Sequence, residues 1–112
     1  MVEYKSDKNL SVILKAVSDD TRRSLLTRLC QEGPCRVTDL ATYYKMSLNA
    51  VSKHLKVLEN AGLAQRKTVG REHWISADLS KTEQIEDWFS QLKSIWLLRL
   101  ENLESILGED ND

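Results

Sequence analysis

The sequence predicts a mainly α-helical fold of five helices with one small β-hairpin. Apolar residues recur at spacings of three and four in five separate stretches, which is the period of amphipathic helices. Between residues 63 and 77 the pattern changes to two short extended runs around a glycine-containing turn. A chain of 112 residues with one proline and four glycines has the length of one domain and few signals for loops. We therefore expect a single domain over residues 1–112.

The first two helices are predicted at about residues 7–17 and 20–31. A loose N-terminus precedes the first helix, Ser6 or Asp7 caps it, and its apolar stripe is Leu10, Ile13, Leu14 and Val17. The second helix starts after acidic cap residues and stops at Gly33-Pro34.

Two short helices follow, at about 38–44 and 47–61, with Thr38 and Ser47 as their N-cap candidates. Because only Lys45-Met46 separates them, they form a helix-turn-helix. The second helix has an apolar stripe on one side, and its other side is polar and cationic with no carboxylate before Glu59. The stripe is Val51, Leu55 and Leu58, and the polar residues are Asn49, Ser52, Lys53 and Lys56. Such a helix suits a DNA groove, so we interpret it as a recognition helix.

The predicted hairpin at 63–77 comes directly after this helix, which is the position of a wing in a winged helix-turn-helix. Gly70 supplies the positive φ that a hairpin turn needs. Two strand registers are possible, one with His73, Ile75 and Ala77 facing inward and one with Trp74 inward. The cations of the hairpin are within reach of phosphates or a minor groove: Arg66, Lys67 and Arg71.

The last helix, at about 82–107, carries a seam of apolar residues that step by 3, 4, 4, 3 and 4 positions: Phe89, Leu92, Trp96, Leu100, Leu103 and Leu107. This helix has more apolar surface than a small core can cover. We expect it to pair with the same helix of a second copy, together with the helix that holds Leu10 and Leu14. The alternative is that it closes the core of a monomer.

The charge is unevenly distributed although the whole chain has a net charge of only −1. Residues 34–74 hold seven Lys and Arg against three Asp and Glu, a net +4, and residues 75–112 hold three against nine, a net −6. A basic centre can attract phosphates, although a chance partition of charges would look the same. No signal peptide and no apolar run of membrane-spanning length is found, so we expect a cytoplasmic protein without a membrane partner.

The chain resembles the ArsR/SmtB-type winged-helix repressors over about residues 8–107. The resemblance rests on Val17-Ser18-Asp19-Asp20-Thr21-Arg22-Arg23, Val37-Thr38-Asp39-Leu40-Ala41, the stretch from Met46-Ser47 to Ser52-Lys53-His54-Leu55-Lys56-Val57-Leu58-Glu59-Asn60-Ala61-Gly62-Leu63, and Gly70-Arg71-Glu72-His73. It implies a homodimer that binds a near-palindromic operator in double-stranded DNA and represses its own or a neighbouring operon. It also implies major-groove contacts from Leu48, Asn49, Ser52 and Lys53. One departure is Asp20, where relatives usually have proline, but aspartate also suits a helix start.

The chemistry of these residues agrees with such contacts. Asn49 can pair with adenine through two hydrogen bonds, and Lys53 can reach the acceptors of guanine. Ser47 and Thr38 are expected at phosphates, with simple capping as the alternative for Ser47. His54 either touches DNA or packs between helices with its nitrogens satisfied, and the sequence favours neither.

Other classes of function have weaker support. The family's thiolate site would lie just before Asp39, where the chain has Arg36-Val37-Thr38, and residues 82–112 contain no histidine, so we expect no metal or other cofactor. A redox-responsive repressor would use Cys30 and Cys35, although Cys30 can simply pack at a helix end and Cys35 lie in a loop. A winged-helix module that binds only proteins is the third alternative. We expect no enzyme, because no catalytic constellation is present; the effector is left open.

Overall fold

The computed structural model describes the backbone of residues 2–110 and the side chains of residues 9–108. Its helices are Val2–Ala16 (α1), Asp20–Glu32 (α2), Val37–Ala41 (α3), Leu48–Asn60 (α4) and Glu83–Asp110 (α5). Its strands are Cys35–Arg36 (β1), Ala64–Val69 (β2) and Glu72–Ala77 (β3). The predicted five helices and the hairpin are confirmed. Residues 1–82 and residues 83–112 form two compact units.

The small sheet has a third strand that the sequence pattern did not predict. Strand β1 pairs antiparallel with β3, Cys35 opposite Ile75 and Arg36 opposite Trp74, so the strand order is β1-β3-β2. The prediction of a loop at Cys35 is therefore wrong. Two residues are too few to show the alternation by which a strand is read from sequence.

The hairpin register follows the first of the two predicted alternatives. Ala64 pairs with Ala77 and Val69 with Glu72, which leaves a two-residue turn. Gly70, the first turn residue, has a φ of 62°, as a tight hairpin turn requires. Ile75 is 0% exposed and faces the core, whereas Trp74 lies half-buried on the opposite face of the sheet.

The core of residues 1–82 gathers apolar side chains from all four of its helices and from the sheet. Its largest fully buried members are Leu25, Leu29, Leu40, Val51, Leu55, Leu58, Leu63 and Ile75. Burial of one such side chain stabilises the fold by about 1.5–3 kcal/mol. The predicted stripe of α4 is confirmed, because its three residues all lie in this core and so turn the opposite face of the helix to solvent.

Local hydrogen bonds set the ends of α2 and α4. The Asp19 carboxylate accepts from the Arg22 N–H at 3.0 Å, and the Ser47 hydroxyl accepts from the Ala50 N–H at 3.1 Å. After α4, Gly62 takes a φ of 79°, and its N–H and that of Leu63 return to the last carbonyls of the helix. This is a Schellman motif, which glycine favours because it has no Cβ. The start of α2 at Asp20 and the Ser47 cap are as predicted.

The predicted bounds of three helices, α1, α3 and α5, are wrong. Helix α3 begins at Val37 and ends at Ala41, with Arg36 at the cap position, so Thr38 lies inside it and caps nothing. The predicted span of 38–44 included turn residues, because Tyr44 continued an apolar spacing. Helix α1 already begins at Val2, so the predicted cap at Ser6 or Asp7 falls within it, and α5 runs three residues beyond 107. None of the helices in the described part of the chain is long and apolar enough to cross a membrane.

Candidate nucleic-acid interface

The outward face of α4 presents polar and cationic side chains in two turns of helix. Leu48, Asn49, Lys53 and Lys56 are exposed, and Ser52 is half-buried beside them. The first turn of α4 contains no acidic residue. The structure thus brings together on one side of α4 the five residues that were predicted to face DNA.

The wing contributes its turn and one strand face. Arg71 is exposed at the turn, and Lys67 lies opposite Trp74 on the outer face of the sheet. Arg66 is on the other face, where its guanidinium is bound to Glu59 of α4 at 3.1 Å. The three predicted wing cations are therefore not equivalent, since only two of them are free of a carboxylate partner.

All three carboxylates of the basic segment 34–74 are held by arginines. Asp39 lies 2.9 Å and Glu72 3.3 Å from Arg36, and Glu59 is bound by Arg66. Within the described side chains the other five cations of this segment have no carboxylate within 4 Å: Lys45, Lys53, Lys56, Lys67 and Arg71. The surface formed by α4 and the wing therefore has an excess of positive charge that can attract phosphates.

A cleft of about 290 Å³ separates the start of α4 from the wing. Leu48 and Ser52 of α4 line one side, Arg71 and Glu72 the other, and Thr38 of α3 also contributes. The cleft is open to solvent, and both polar and apolar side chains line it.

His54 lies at the junction of α4 with the start of α2. Its Nδ1 atom is 3.4 Å from the Arg22 guanidinium and 3.9 Å from the Asp19 carboxylate. Arg22 also donates to the carbonyls of Ala16, at 2.7 Å, and Lys15. The hydrogen bond from the Arg22 N–H, followed by the charges of Arg22 and His54, lowers the pKa of Asp19. This geometry favours the packing role of His54 over contact with DNA.

The two cysteines offer little support for a redox site. Cys30 is exposed, so the expectation that it packs as an apolar residue is wrong. Cys35 is half-buried, and burial, with the nearby charges of Glu32 and Asp39, raises the pKa of its thiol. A raised pKa lowers the fraction of reactive thiolate. Within the described residues, no three His, Cys, Asp or Glu side chains come together to hold a metal ion.

Two further residues of this surface, Arg36 and Glu72, were not predicted as site residues. Their contact joins positions 36 residues apart, and no periodic pattern marks such a pair. The sheet brings them near each other, because β1 places Arg36 opposite Trp74, two residues from Glu72.

The order of elements and the exposed face of α4 define a winged helix-turn-helix domain. A sequence model of the bacterial regulatory proteins of the arsR family matches residues 19–66. An HTH-type transcriptional regulator of Mycobacterium tuberculosis is 30% identical over 98 residues, which are 88% of each chain. The chain therefore belongs to the ArsR family, as its motifs predicted.

Two further relatives carry more specific names. The arsenical resistance operon repressor of Bacillus subtilis is 35% identical over 69 residues, 62% of this chain and 64% of the repressor. The cadmium resistance transcriptional regulatory protein CadC homolog of Staphylococcus aureus is 32% identical over 77 residues, 69% of this chain and 64% of that protein. The chain thus spans just under two thirds of the length of these two relatives.

Solved structures agree on the fold. An ArsR-like transcriptional regulator from a Rhodococcus species superposes with a TM-score of 0.77 at 28% identity, covering 91% of this chain and 95% of that one. A winged helix-turn-helix domain from Mycobacterium bovis, described as homodimeric and DNA-binding, gives a TM-score of 0.64 at 22% identity over 89% of each chain, a likeness of fold alone.

Proposed function

We propose that this protein is a cytoplasmic DNA-binding transcriptional regulator, a homodimeric repressor of its own or a neighbouring operon. The observation that carries the proposal is the exposed face of α4, whose polar and cationic residues lie beside a wing with two free cations. Family membership supports it, because regulators of this family share the helix-turn-helix that α3 and α4 form. Residues 1–112 then act as one DNA-binding domain whose terminal helices make the dimer.

In this proposal α4 reads bases in the major groove. The Asn49 amide pairs with adenine, Lys53 donates to the acceptors of guanine, and Leu48 contacts a thymine methyl group. Each matched pair of this kind discriminates against a wrong base by about 1–3 kcal/mol. Ser52 lies beside these residues and also faces the major groove, whereas Lys56, further along the same face, reaches the sugar-phosphate backbone.

The wing and the first residues of the helices contact phosphates. Arg71 and Lys67 bind the backbone or the minor groove beside α4. Thr38 contributes its exposed hydroxyl from the edge of the cleft. The Ser47 hydroxyl accepts a hydrogen bond from the Ala50 N–H and so fixes the start of α4. Its own O–H can still donate to a phosphate beside the first N–H groups of α4, which have no acceptor within the helix.

The dimer is proposed from the surface of α5. Trp96 is 63% exposed, and the other exposed members of the predicted seam are Phe89, Leu92, Leu103 and Leu107. Leu100 is half-buried. Such a row of exposed large apolar side chains on one helix is typical of an interface, and a near-heptad spacing fits a second copy of the same helix. Leu10 and Leu14 of α1, both half-buried, are proposed to add to this interface.

The proposal includes no metal ion, although the names of two relatives refer to cadmium and arsenical resistance. The reason lies in the sequence, because residues 36–38 contain no cysteine and residues 82–112 contain no histidine. The raised pKa of Cys35 likewise gives no support to a thiol switch.

Selection of bound fragments from the source genome tests the proposal. The expected result is enrichment of a near-palindromic sequence whose half-sites lie about one helical turn apart, since a two-fold dimer presents two copies of α4. Parallel selection with Lys53→Ala is expected to lose the enriched sequence. Absence of enrichment, together with duplex affinity that does not change with salt, would favour the protein-binding alternative and refute the proposal.

A further inference from the structure

The cleft between α4 and the wing contains an internal ion pair that is placed where DNA phosphates are expected. The Nη1 atom of Arg36 lies 3.3 Å from Oε1 of Glu72, and the Trp74 indole N–H donates to Oε2 of the same carboxylate at 3.2 Å. Among the described residues Glu72 is the one acidic side chain that lines the cleft, and three arginines line it as well: Arg36, Arg66 and Arg71. A carboxylate is thus held at the edge of a basic cleft.

The other ionic contacts leave Arg36 able to change its partner. Its Nε donates to Asp39 at 2.9 Å, which fixes the guanidinium near the start of α3. The Nη1 atom of Arg36 donates to Glu72. Since a guanidinium has five N–H donors in all, Arg36 can exchange this partner and still keep Asp39. Arg66 does not have this freedom, because both of its contacts go to one carboxylate, that of Glu59.

Carboxylate and phosphate oxygens present similar acceptors to a guanidinium. The Arg36–Glu72 contact is exposed, with side chains 43% and 49% accessible, so water and an incoming anion can reach it. An exposed pair of this kind is weak, on the order of 0–1 kcal/mol, and a phosphate can therefore replace the carboxylate.

We propose that Glu72 stands in for a DNA phosphate in the free protein and that a phosphodiester of the duplex displaces it from Arg36 on binding. The inference rests on the DNA-binding function proposed above. Arg36 is then a further phosphate-binding residue, and Glu72 is an internal competitor that weakens binding to every duplex. The base contacts of α4 therefore account for a larger share of the affinity for the operator.

The salt dependence of binding gives this exchange a measurable signature. A free arginine that neutralises a phosphate lets one counterion leave the DNA, which contributes about 0.9 to the log–log salt slope. When Arg36 must first leave Glu72, the freed carboxylate takes up a cation from solution. This uptake offsets the counterion that the DNA releases. Removal of the Glu72 charge should therefore tighten binding and also steepen the slope.

The test measures fluorescence anisotropy of a labelled 24-base-pair duplex of arbitrary sequence across a series of salt concentrations, with the full chain. Glu72→Gln is expected to bind about fivefold more tightly at low salt, with a slope steeper by about one. Glu101→Gln, which removes one negative charge from the exposed part of α5, is the matched control and should change affinity less than twofold. Arg36→Gln should bind more weakly, and adding Glu72→Gln to it should tighten binding by a smaller factor than Glu72→Gln does alone, because no exchange at Arg36 is left.

Three results would overturn the inference. If Glu72→Gln binds no more tightly than the wild type, the Arg36–Glu72 pair only supports the wing. If Glu101→Gln tightens binding as much as Glu72→Gln does, the effect comes from net charge. If the wild-type chain itself shows no salt-dependent duplex binding, the proposed function fails and this inference fails with it.

Discussion

Arg66 and Glu59 form a two-contact ion pair that fixes the first strand of the wing to the second half of α4. The Nε and Nη2 atoms of Arg66 lie 3.1 and 3.3 Å from the two oxygens of Glu59. The side chains are only 25% and 21% exposed, so this pair is better shielded from water than the other arginine–carboxylate pairs of the described residues. Arg66 thus fixes the position of the wing relative to α4, whereas Lys67 and Arg71 have no carboxylate within 4 Å among the described side chains.

Glu59→Gln is expected to destabilise the fold by about 1–2 kcal/mol, because Arg66 would remain partly buried without its counter-charge. Urea denaturation measures this change. Glu32→Gln breaks the more exposed contact with Arg28 and serves as the control, with an expected loss below about 0.5 kcal/mol. Equal losses in the two variants would show that the Arg66–Glu59 pair has no special structural role.

Lys53→Ala should lower affinity for the selected operator and reduce its preference over unrelated DNA by about tenfold, which corresponds to one lost base contact. Its melting temperature should stay close to that of the wild type, because Lys53 is exposed and has no carboxylate partner. Leu55→Ala, which opens a cavity in the core, gives the contrasting thermal shift. A drop in melting temperature for Lys53→Ala as large as for Leu55→Ala would contradict its surface placement.

Arg71→Ala should weaken binding to all duplexes by a similar factor, since contacts from the wing turn go to the backbone. The log–log salt slope should become shallower by about one. The comparison of operator with random duplex separates this effect from that of Lys53→Ala. A loss confined to the operator would instead place Arg71 at a base.

Trp96→Ala should convert the dimer to monomers in sedimentation velocity and abolish operator binding, because two half-sites require two linked copies of α4. The fold should persist, since Trp96 is largely exposed. Ser94→Ala, also on an exposed part of α5, is the control and should leave the dimer intact. A dimer that survives Trp96→Ala would move the interface away from the predicted seam.

The features that could be predicted from the sequence are those set by residues close together in the chain. The stripe of α4, its Ser47 cap and its Gly62 ending all follow from spacing and conformational preference within one helix. The contact of Arg66 with Glu59 could not be predicted in this way. The register of β2 with β3 decides on which face of the sheet Arg66 lies. Strand β1 did not follow either, since two residues show no period.

Strand β1 makes the wing part of a larger sheet. A free two-stranded hairpin is marginally stable in water, but pairing of Cys35 and Arg36 with β3 turns the wing into part of a three-stranded sheet that is continuous with the segment entering α3. The wing is therefore preorganised, and association loses less conformational entropy than ordering a loose hairpin would cost. A substitution at Cys35 that weakens β1 should therefore weaken DNA binding, although the Cys35 side chain does not line the cleft.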